Sequence, residues 1–280
     1  MAKSEMTHEG VIAAIQRKLE PIEHIHGMWE IGAAAFSRVD EWSDIDLQIC
    51  GDDDKIEEII RMLEEVLEEL SPIESQWRLP EPTPHGHAQV FYKLRDASPF
   101  LLIDVVIMKA SAKDKFLVPE IHNPPTICFD KNNCTAYEPF DPKEFLKKLK
   151  GRAALIKSLF SMFQVMTLKE INRNHPIEAI SYYQAYTLRW LVELQRIRYR
   201  PTRYNFSIRY LYDEFPEDVL KRLEPLYFIK NLEDLQKKRE SAEELFFETY
   251  AALDWGVISK MLNDAAKVRN QSVDVVSKTS

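Results

Sequence analysis

The stretch Gly32-Ala-Ala-Ala-Phe-Ser-Arg-Val-Asp-Glu-Trp-Ser-Asp-Ile-Asp-Leu47 decides how this chain is read, and its sharpest part is Ser43-Asp44-Ile45-Asp46. It lies between an apolar run ending in Trp29-Glu30-Ile31 and a strand-like run from Ile45 to Cys50. Successive side chains of a strand point to opposite faces, so Ile45, Leu47 and Ile49 share one side while Asp44, Asp46 and Gln48 share the other. The two carboxylates then stand about 7 Å apart along the backbone. Magnesium takes oxygen ligands and keeps water and substrate phosphates in its remaining positions, so this pair makes half of a metal site.

An Asp-x-Asp alone is more often a solvated strand end, and Gly32 is what changes the reading. It ends one strand eleven residues before Ser43, and the alanine-rich segment after it suits a short helix. A strand, a glycine turn, a helix start and a return strand bring backbone N–H groups towards the carboxylates, and helix N-termini attract phosphate. In this arrangement the sequence resembles the polymerase-beta-like nucleotidyltransferase superfamily, whose signature is hydrophobic-Gly-Ser, a spacer, then Ser-Asp-x-Asp-hydrophobic. Trp42-Ser43-Asp44-Ile45-Asp46-Leu47 follows that pattern, whereas Ala33 stands where the family has serine and Phe36-Ser37 where many members have Arg-Gly. The resemblance implies that Gly32, Ala33 and Ser43 face a nucleotide and that Asp44 and Asp46 hold Mg2+ or Mn2+. A hydrogen bond from a hydroxyl to a charged group contributes roughly 1.5–3 kcal/mol, so Ala33 lowers the expected nucleotide affinity by about one to two decades.

Composition bounds the rest. The chain has 280 residues, 45% hydrophobic and 11% aromatic, enough for two domains, and seven glycines against fifteen prolines favour helices over tight hairpins. The N-terminus MAKSEMTHEG lacks the apolar core of a signal peptide and no stretch reaches bilayer-spanning length, so the expected location is the cytoplasm, with no membrane partner. Cys50, Cys128 and Cys134 are too few and too irregular for a disulfide framework or a zinc site and read as free thiols. The pairs His24/His26 and His85/His87 lack a third ligand in register and read as loop or surface histidines. The net charge of −8 hides an asymmetry: residues 1–140 carry 13 basic and 26 acidic side chains, residues 141–280 carry 24 and 19. The acidic balance argues against a broad nucleic-acid footprint.

Thr7 caps a helix expected to run to Leu19, and Asp52-Asp53-Asp54 reads as the acidic start of a helix whose apolar positions run from Ile56 to Leu70. Strands are expected near Met28–Ile31, Ile45–Cys50, Ile73–Leu79, Gln89–Leu94 and Phe100–Met108, giving an α/β domain with a mixed five-stranded sheet. Asp104 interrupts the apolar run Leu101 to Met108, where an unpaired carboxylate is costly. The resemblance gives it a role, as the third carboxylate that completes the metal site or serves as general base. Residues 109–140 look irregular, with a short helix near Lys113–Leu117, and Pro139-Phe140-Asp141-Pro142 reads as a linker.

Beyond the linker the pattern is helical: Lys143 to Leu168, Pro176 to Arg198, a short piece from Ser207 to Glu214, then Pro216–Phe228 and Leu232–Asp254, with the last dozen residues expected to fray. Tyr182, Tyr186, Arg189, Glu193, Arg196 and Arg200 recur at helical steps as one polar face. Six arginines fall between Arg189 and Arg209 with a single acidic residue among them. Arg189, Arg196, Arg203 and Arg209 therefore read either as a phosphate-facing wall with tyrosines to stack on a base, or as a solvated face salt-bridged by Glu193. Around Pro201-Thr202-Arg203-Tyr204 the sequence loosely resembles the helical C-terminal domains of small-molecule nucleotidyltransferases, including aminoglycoside adenylyltransferases.

The expected organisation is a catalytic nucleotidyltransferase domain over residues 1–140 and an all-α helical bundle over 141–280 that contacts substrate and nucleotide, with the active cleft between them. The expected chemistry is metal-dependent transfer of a nucleoside monophosphate, AMP from ATP, to the hydroxyl of a small molecule. Two alternatives stand beside it: a weak or inactive regulator of the same fold resembling the superfamily's antitoxin-like members, and a transferase acting on RNA or protein.

Overall fold

A computed structural model describes residues 6–36, 38–137 and 139–276, with side chains through residue 267. The chain forms two compact units that divide between Pro139 and Phe140.

The N-terminal unit opens with α1 (His8–Leu19), where the Thr7 hydroxyl accepts the Gly10 N–H at 3.1 Å. The strands are β1 (Ile25–Glu30), β2 (Ile45–Gly51), β3 (Ile73–Arg78), β4 (Ala88–Leu94), β5 (Ile103–Lys109) and β6 (Thr126–Asp130), with α2 (Ile56–Leu70) after β2 and α3 (Pro119–His122) before β6. They form one mixed sheet in the order β3-β4-β5-β2-β1-β6, in which only β2 and β5 run parallel. The sheet thus has six strands where five were expected. The extra one is an edge strand in the segment read as irregular: Thr126 to Asp130 is too short, and too closely flanked by Pro124 and Pro125, to announce itself until β1 offers its free edge. The short helix of this segment lies at α3 rather than at Lys113–Leu117.

Alternation divides the sheet residues between two cores. Ile45, Leu47 and Ile49 of β2 join Ile103, Val105 and Ile107 of β5 under the apolar stripes of α1 and α2. Trp29, Cys50, Val106 and Met108 form the opposite core with Leu117 and Cys134. By the same alternation Asp46, Gln48 and Asp104 belong to this second face. The acidic triplet before α2 does not cap it: the cap residue is Lys55, Asp52 pairs with His26 at 2.7 Å, and Asp53 accepts the Ser111 N–H at 3.2 Å.

The C-terminal unit is helical. Asp141 caps the long α4 (Pro142–Asn172) by accepting the Lys143 and Glu144 N–H groups. Next, α5 (Pro176–Tyr182) continues through a π-helical stretch, Tyr183–Leu188, into α6 (Arg189–Tyr199). The remaining helices are α7 (Leu211–Glu214), α8 (Glu217–Leu223), α9 (Leu232–Ala251) and α10 (Trp255–Val276). Their core holds Leu191, Leu194, Ile197 and the stacked rings of Phe160 and Phe246, 3.6 Å apart. Helix α10 runs into the stretch expected to fray, and residues 277–280 of that stretch lie outside the described residues. Asp254 does not end a helix as expected. Its carboxylate accepts the N–H groups of Gly256 and Val257 and so begins α10. Among the described residues no helix is long and apolar enough to cross a membrane.

Candidate active site

Gly32 follows β1 with φ +65°, the left-handed region that glycine enters without strain. The Ile31 N–H still donates to the Asp46 carbonyl at 3.0 Å, so the turn departs from the β1–β2 ladder directly beside Asp46. A Cβ at position 32 would overlap the Asp46 carboxylate. Two independent constraints, backbone sign and close approach, therefore fix glycine here. The Ala33 carbonyl accepts the N–H groups of Phe36 and Arg38, and Ala34–Phe36 forms a single 3-10 turn, the short helix expected from the alanines. Ser37 lies outside the described residues.

The hydroxyl of Ser43 is turned to its own loop. It accepts the Asp40 N–H at 2.9 Å and donates to the Asp40 carboxylate at 2.7 Å. Asp44 stands at the entrance of β2, where the Ile45 N–H donates to the Leu102 carbonyl at 2.9 Å. Burial pushes the Asp44 carboxyl above its ordinary value, against a hydrogen bond from the Leu102 backbone. On its other side His8 reaches the Asp44 backbone, and its ring pairs with buried Glu30 at 2.8 Å.

Asp46 and Asp104 are Cα partners across the parallel β2–β5 ladder. Partners in a parallel pair present their side chains to the same face, on strands about 4.8 Å apart. Both Asp104 oxygens accept from the Gln89 amide, at 2.7 and 2.9 Å, and the Gln89 carbonyl is bonded to the His85 ring at 3.0 Å. Burial raises the Asp104 carboxyl, the Gln89 bond opposes the rise, and the charge of Asp44 adds to it. Asp44 is thus near enough to Asp104 for repulsion. Among the described residues no three His, Cys, Asp or Glu side chains gather closely enough to hold a metal ion, so the three aspartates are not a ready-made cage. Their chemistry still fits a hard cation: adjacent carboxylate oxygens, with the remaining positions left to phosphate and water.

Gln89, His85 and His8 were missed as site residues. His85 lies in a loop, as read, and from there it reaches Gln89, whereas His87 is buried with its ring bonded to the Asp114 carbonyl at 2.8 Å, against the surface reading. A signal was present for Gln89. It is a polar residue between buried Ala88 and Val90, and alternation sends it to the face that carries Asp104.

In the helical unit the arginines part company. Arg189 is exposed and lines a cavity of about 430 Å3 with Arg152, Glu193, Tyr204, Asn205 and Ser207. Arg196 does not face a ligand. It is 0% exposed, bonded to Glu214 at 2.8 Å, to the Ser207 carbonyl at 2.6 Å and to the Arg209 carbonyl. Arg203 shares Glu214, and the Arg209 guanidinium lies 4.7 Å over the Phe206 ring. Glu193 does not bridge Arg189 and Arg196 but pairs with Arg152 of α4, at 2.5 and 2.9 Å. The polar stripe expected on this helix is split: Glu193 and Arg196 are buried, the first pairing with α4 and the second with Glu214 of α7, while Arg189 and Arg200 are exposed. Tyr182 and Tyr186 stack on each other, and Tyr186 also stacks on Phe163.

No protein-family model matches the chain, and no curated protein matches it. Among solved structures the chain is similar to an aminoglycoside 6-adenyltransferase from Bacillus subtilis, at 12% identity over 97% of this chain and 98% of that one, with a TM-score of 0.35. It is also similar to a spectinomycin adenyltransferase from Enterococcus faecialis, crystallised with ATP and spectinomycin, at 9% identity over 92% and 99% of the two chains, with a TM-score of 0.33. What the site can do follows from its own residues.

Proposed function

We propose that this chain is a metal-dependent nucleotidyltransferase that moves a nucleoside monophosphate, AMP from ATP, to a hydroxyl of a small molecule. The observation that carries the reading is the register pairing of Asp46 with Asp104, with Asp44 at the mouth of the same strand and the Gly32 turn closed against Asp46. Asp44 and Asp46 would hold Mg2+ or Mn2+ against the triphosphate. When bound, the ion supplies charge neutralisation and in-line orientation of the phosphates.

Asp104 takes the acceptor's proton. A carboxylate raised by burial is a stronger base than a solvated one, and the Gln89 amide holds its plane fixed while leaving each oxygen a further lone pair. Arg189 is exposed and lines a cavity with Arg152, and among the arginines read from the sequence it is the one we assign to phosphate. Gly32 and Ala33 contribute backbone rather than hydroxyl groups.

One observation favours a second reading, a non-catalytic binding protein of the same fold. Ala33 has no hydroxyl and that of Ser43 is engaged by Asp40, so neither side chain offers a donor to phosphate. Magnesium-dependent pyrophosphate release from ATP decides between them, measured with a panel of small hydroxyl compounds and then with RNA and protein. Release stimulated by a small hydroxyl compound supports the transferase. ATP binding without release under every condition supports the binding protein, and release only with a macromolecule moves the acceptor to that class.

A further inference from the structure

Cys50 and Cys134 take no part in the chemistry above. Cys50 lies on β2 four residues beyond Asp46, on the same face, and its Cα partner on β1 is Gly27. Partners in an antiparallel pair point their side chains to one face, with Cβ positions about 4.5–5.5 Å apart. Gly27 has no side chain, and the Cys134 Sγ fills the place where its Cβ would be. The sulfur of Cys134 is thereby seated beside Cys50, and the two thiols are hydrogen-bonded.

The seat is built rather than accidental. Asp130, at the end of β6, accepts the Cys134 N–H at 2.9 Å and the Thr135 N–H at 3.2 Å, which fixes the loop with its thiol turned inward. Both cysteines are buried in one cluster with Trp29, Val106, Met108 and Leu117. The third cysteine is a built-in contrast. Cys128 packs against the opposite core, and burial pushes its thiol up to about 11. At Cys50 the bond from Cys134 pulls the thiol down, helped by Lys115, while Cys134 is raised. The direction of these shifts makes Cys50 the attacking thiol of the pair.

We propose that Cys50 and Cys134 form a reversible oxidation site that closes to an intramolecular disulfide when a small hydroperoxide enters the core. The Cys50 thiolate attacks one peroxide oxygen, the O–O bond breaks, and the leaving hydroxide takes up a proton to become water, leaving a sulfenic acid. The Cys134 sulfur then attacks the Cys50 sulfur, the S–O bond breaks, and the departing hydroxyl leaves with the Cys134 proton as a second water. Two thiols are oxidised and one hydrogen peroxide is reduced to two waters. The new bond ties the loop after β6 to the strand that carries Asp46. The site stands whether or not the chain transfers nucleotides.

The test treats the reduced full-length protein with hydrogen peroxide, blocks remaining thiols with an alkylating agent, and maps the non-reduced digest by mass spectrometry. The expected result is a fall from three alkylatable thiols to one, Cys128, with a linked pair of peptides carrying Cys50 and Cys134 that is lighter by two hydrogen atoms and is restored by dithiothreitol. In Cys134→Ser the link should be absent and Cys50 should stop at a sulfenic acid that dimedone traps. Cys128→Ser should form the same link, which keeps the test decisive should Cys134→Ser not fold. Three free thiols after treatment, a link that includes Cys128, or a link between two copies of the chain would overturn the proposal.

Discussion

Asp46 on β2 and Asp104 on β5 are register partners in the one parallel pair of the sheet, so two carboxylates distant in sequence are held side by side on one face. The ladder resists slippage, because a one-residue shift of either strand would send its carboxylate to the face packed under α1 and α2 and take its apolar residues off that face. The different roles proposed for them rest on their surroundings. Asp46 closes against Gly32, and Asp104 is gripped by Gln89.

Metal holding and proton acceptance can be told apart by substitution. Asp44→Asn combined with Asp46→Asn should leave the fold intact and remove magnesium-dependent ATP binding in a calorimetric titration. Asp104→Asn should retain that binding and lower the turnover rate by about 10²–10⁴-fold, the usual contribution of a general base. Loss of metal-dependent binding in Asp104→Asn would instead make it a ligand.

The raised Asp104 carboxyl has a consequence for stability. The folded protein binds that proton more tightly than the unfolded chain, so the stabilisation is complete below the ordinary value of 3.8 and is lost as pH rises through the elevated folded value. Asp104→Asn cannot undergo this loss. In metal-free denaturant titrations across the acid range, the midpoint of the variant relative to wild type should rise with pH between 3.8 and the elevated folded value, and level off above it. A constant difference would show that burial of Asp104 does not disturb its titration.

Gly32→Ala places a Cβ in a left-handed turn and into the Asp46 carboxylate. The backbone term alone should cost about 1–2 kcal/mol, read as a lower denaturation midpoint with an unchanged slope. Displacement of Asp46 should also weaken magnesium-dependent ATP binding. Wild-type stability in this variant would mean that the turn relaxes without strain.

Ala33→Ser restores the donor that Ala33 lacks. If the turn meets phosphate, triphosphate binding should tighten by about one to two decades, the equivalent of one hydrogen bond to a charged group. No gain, with the fold unchanged, would place the phosphate elsewhere.

The arginines should separate sharply. Arg196→Ala leaves Glu214 buried without one of its two cations and should cost about 3–5 kcal/mol in stability. Arg189→Ala, at an exposed position, should change stability by roughly 0–1 kcal/mol while weakening ATP binding at low salt, with the difference shrinking as salt screens the charge. Equal ATP affinity for wild type and Arg189→Ala at low ionic strength would remove Arg189 from the site.

Local pattern carried much of this protein. Thr7 and the spacing of Val11, Ile15 and Leu19 specify α1, and alternation in Ile45 to Cys50 specifies β2 with its carboxylates on the face away from α1 and α2. The turn at Gly32 was legible because a glycine between two strands has few other uses; its positive φ was not. Three things were decided only by tertiary structure. Edge strand β6 exists because β1 has an unsatisfied edge, a property of the sheet and not of Thr126 to Asp130. Gln89 meets Asp104 because β4 lies beside β5, and sequence order cannot state which strands become neighbours. Arg196 is interior because α6 is surrounded by other helices, where pairing with Glu214 offsets the cost of burying its charge. Helical periodicity shows that arginines share a face, but whether that face meets solvent or a neighbouring helix depends on residues far away in the chain.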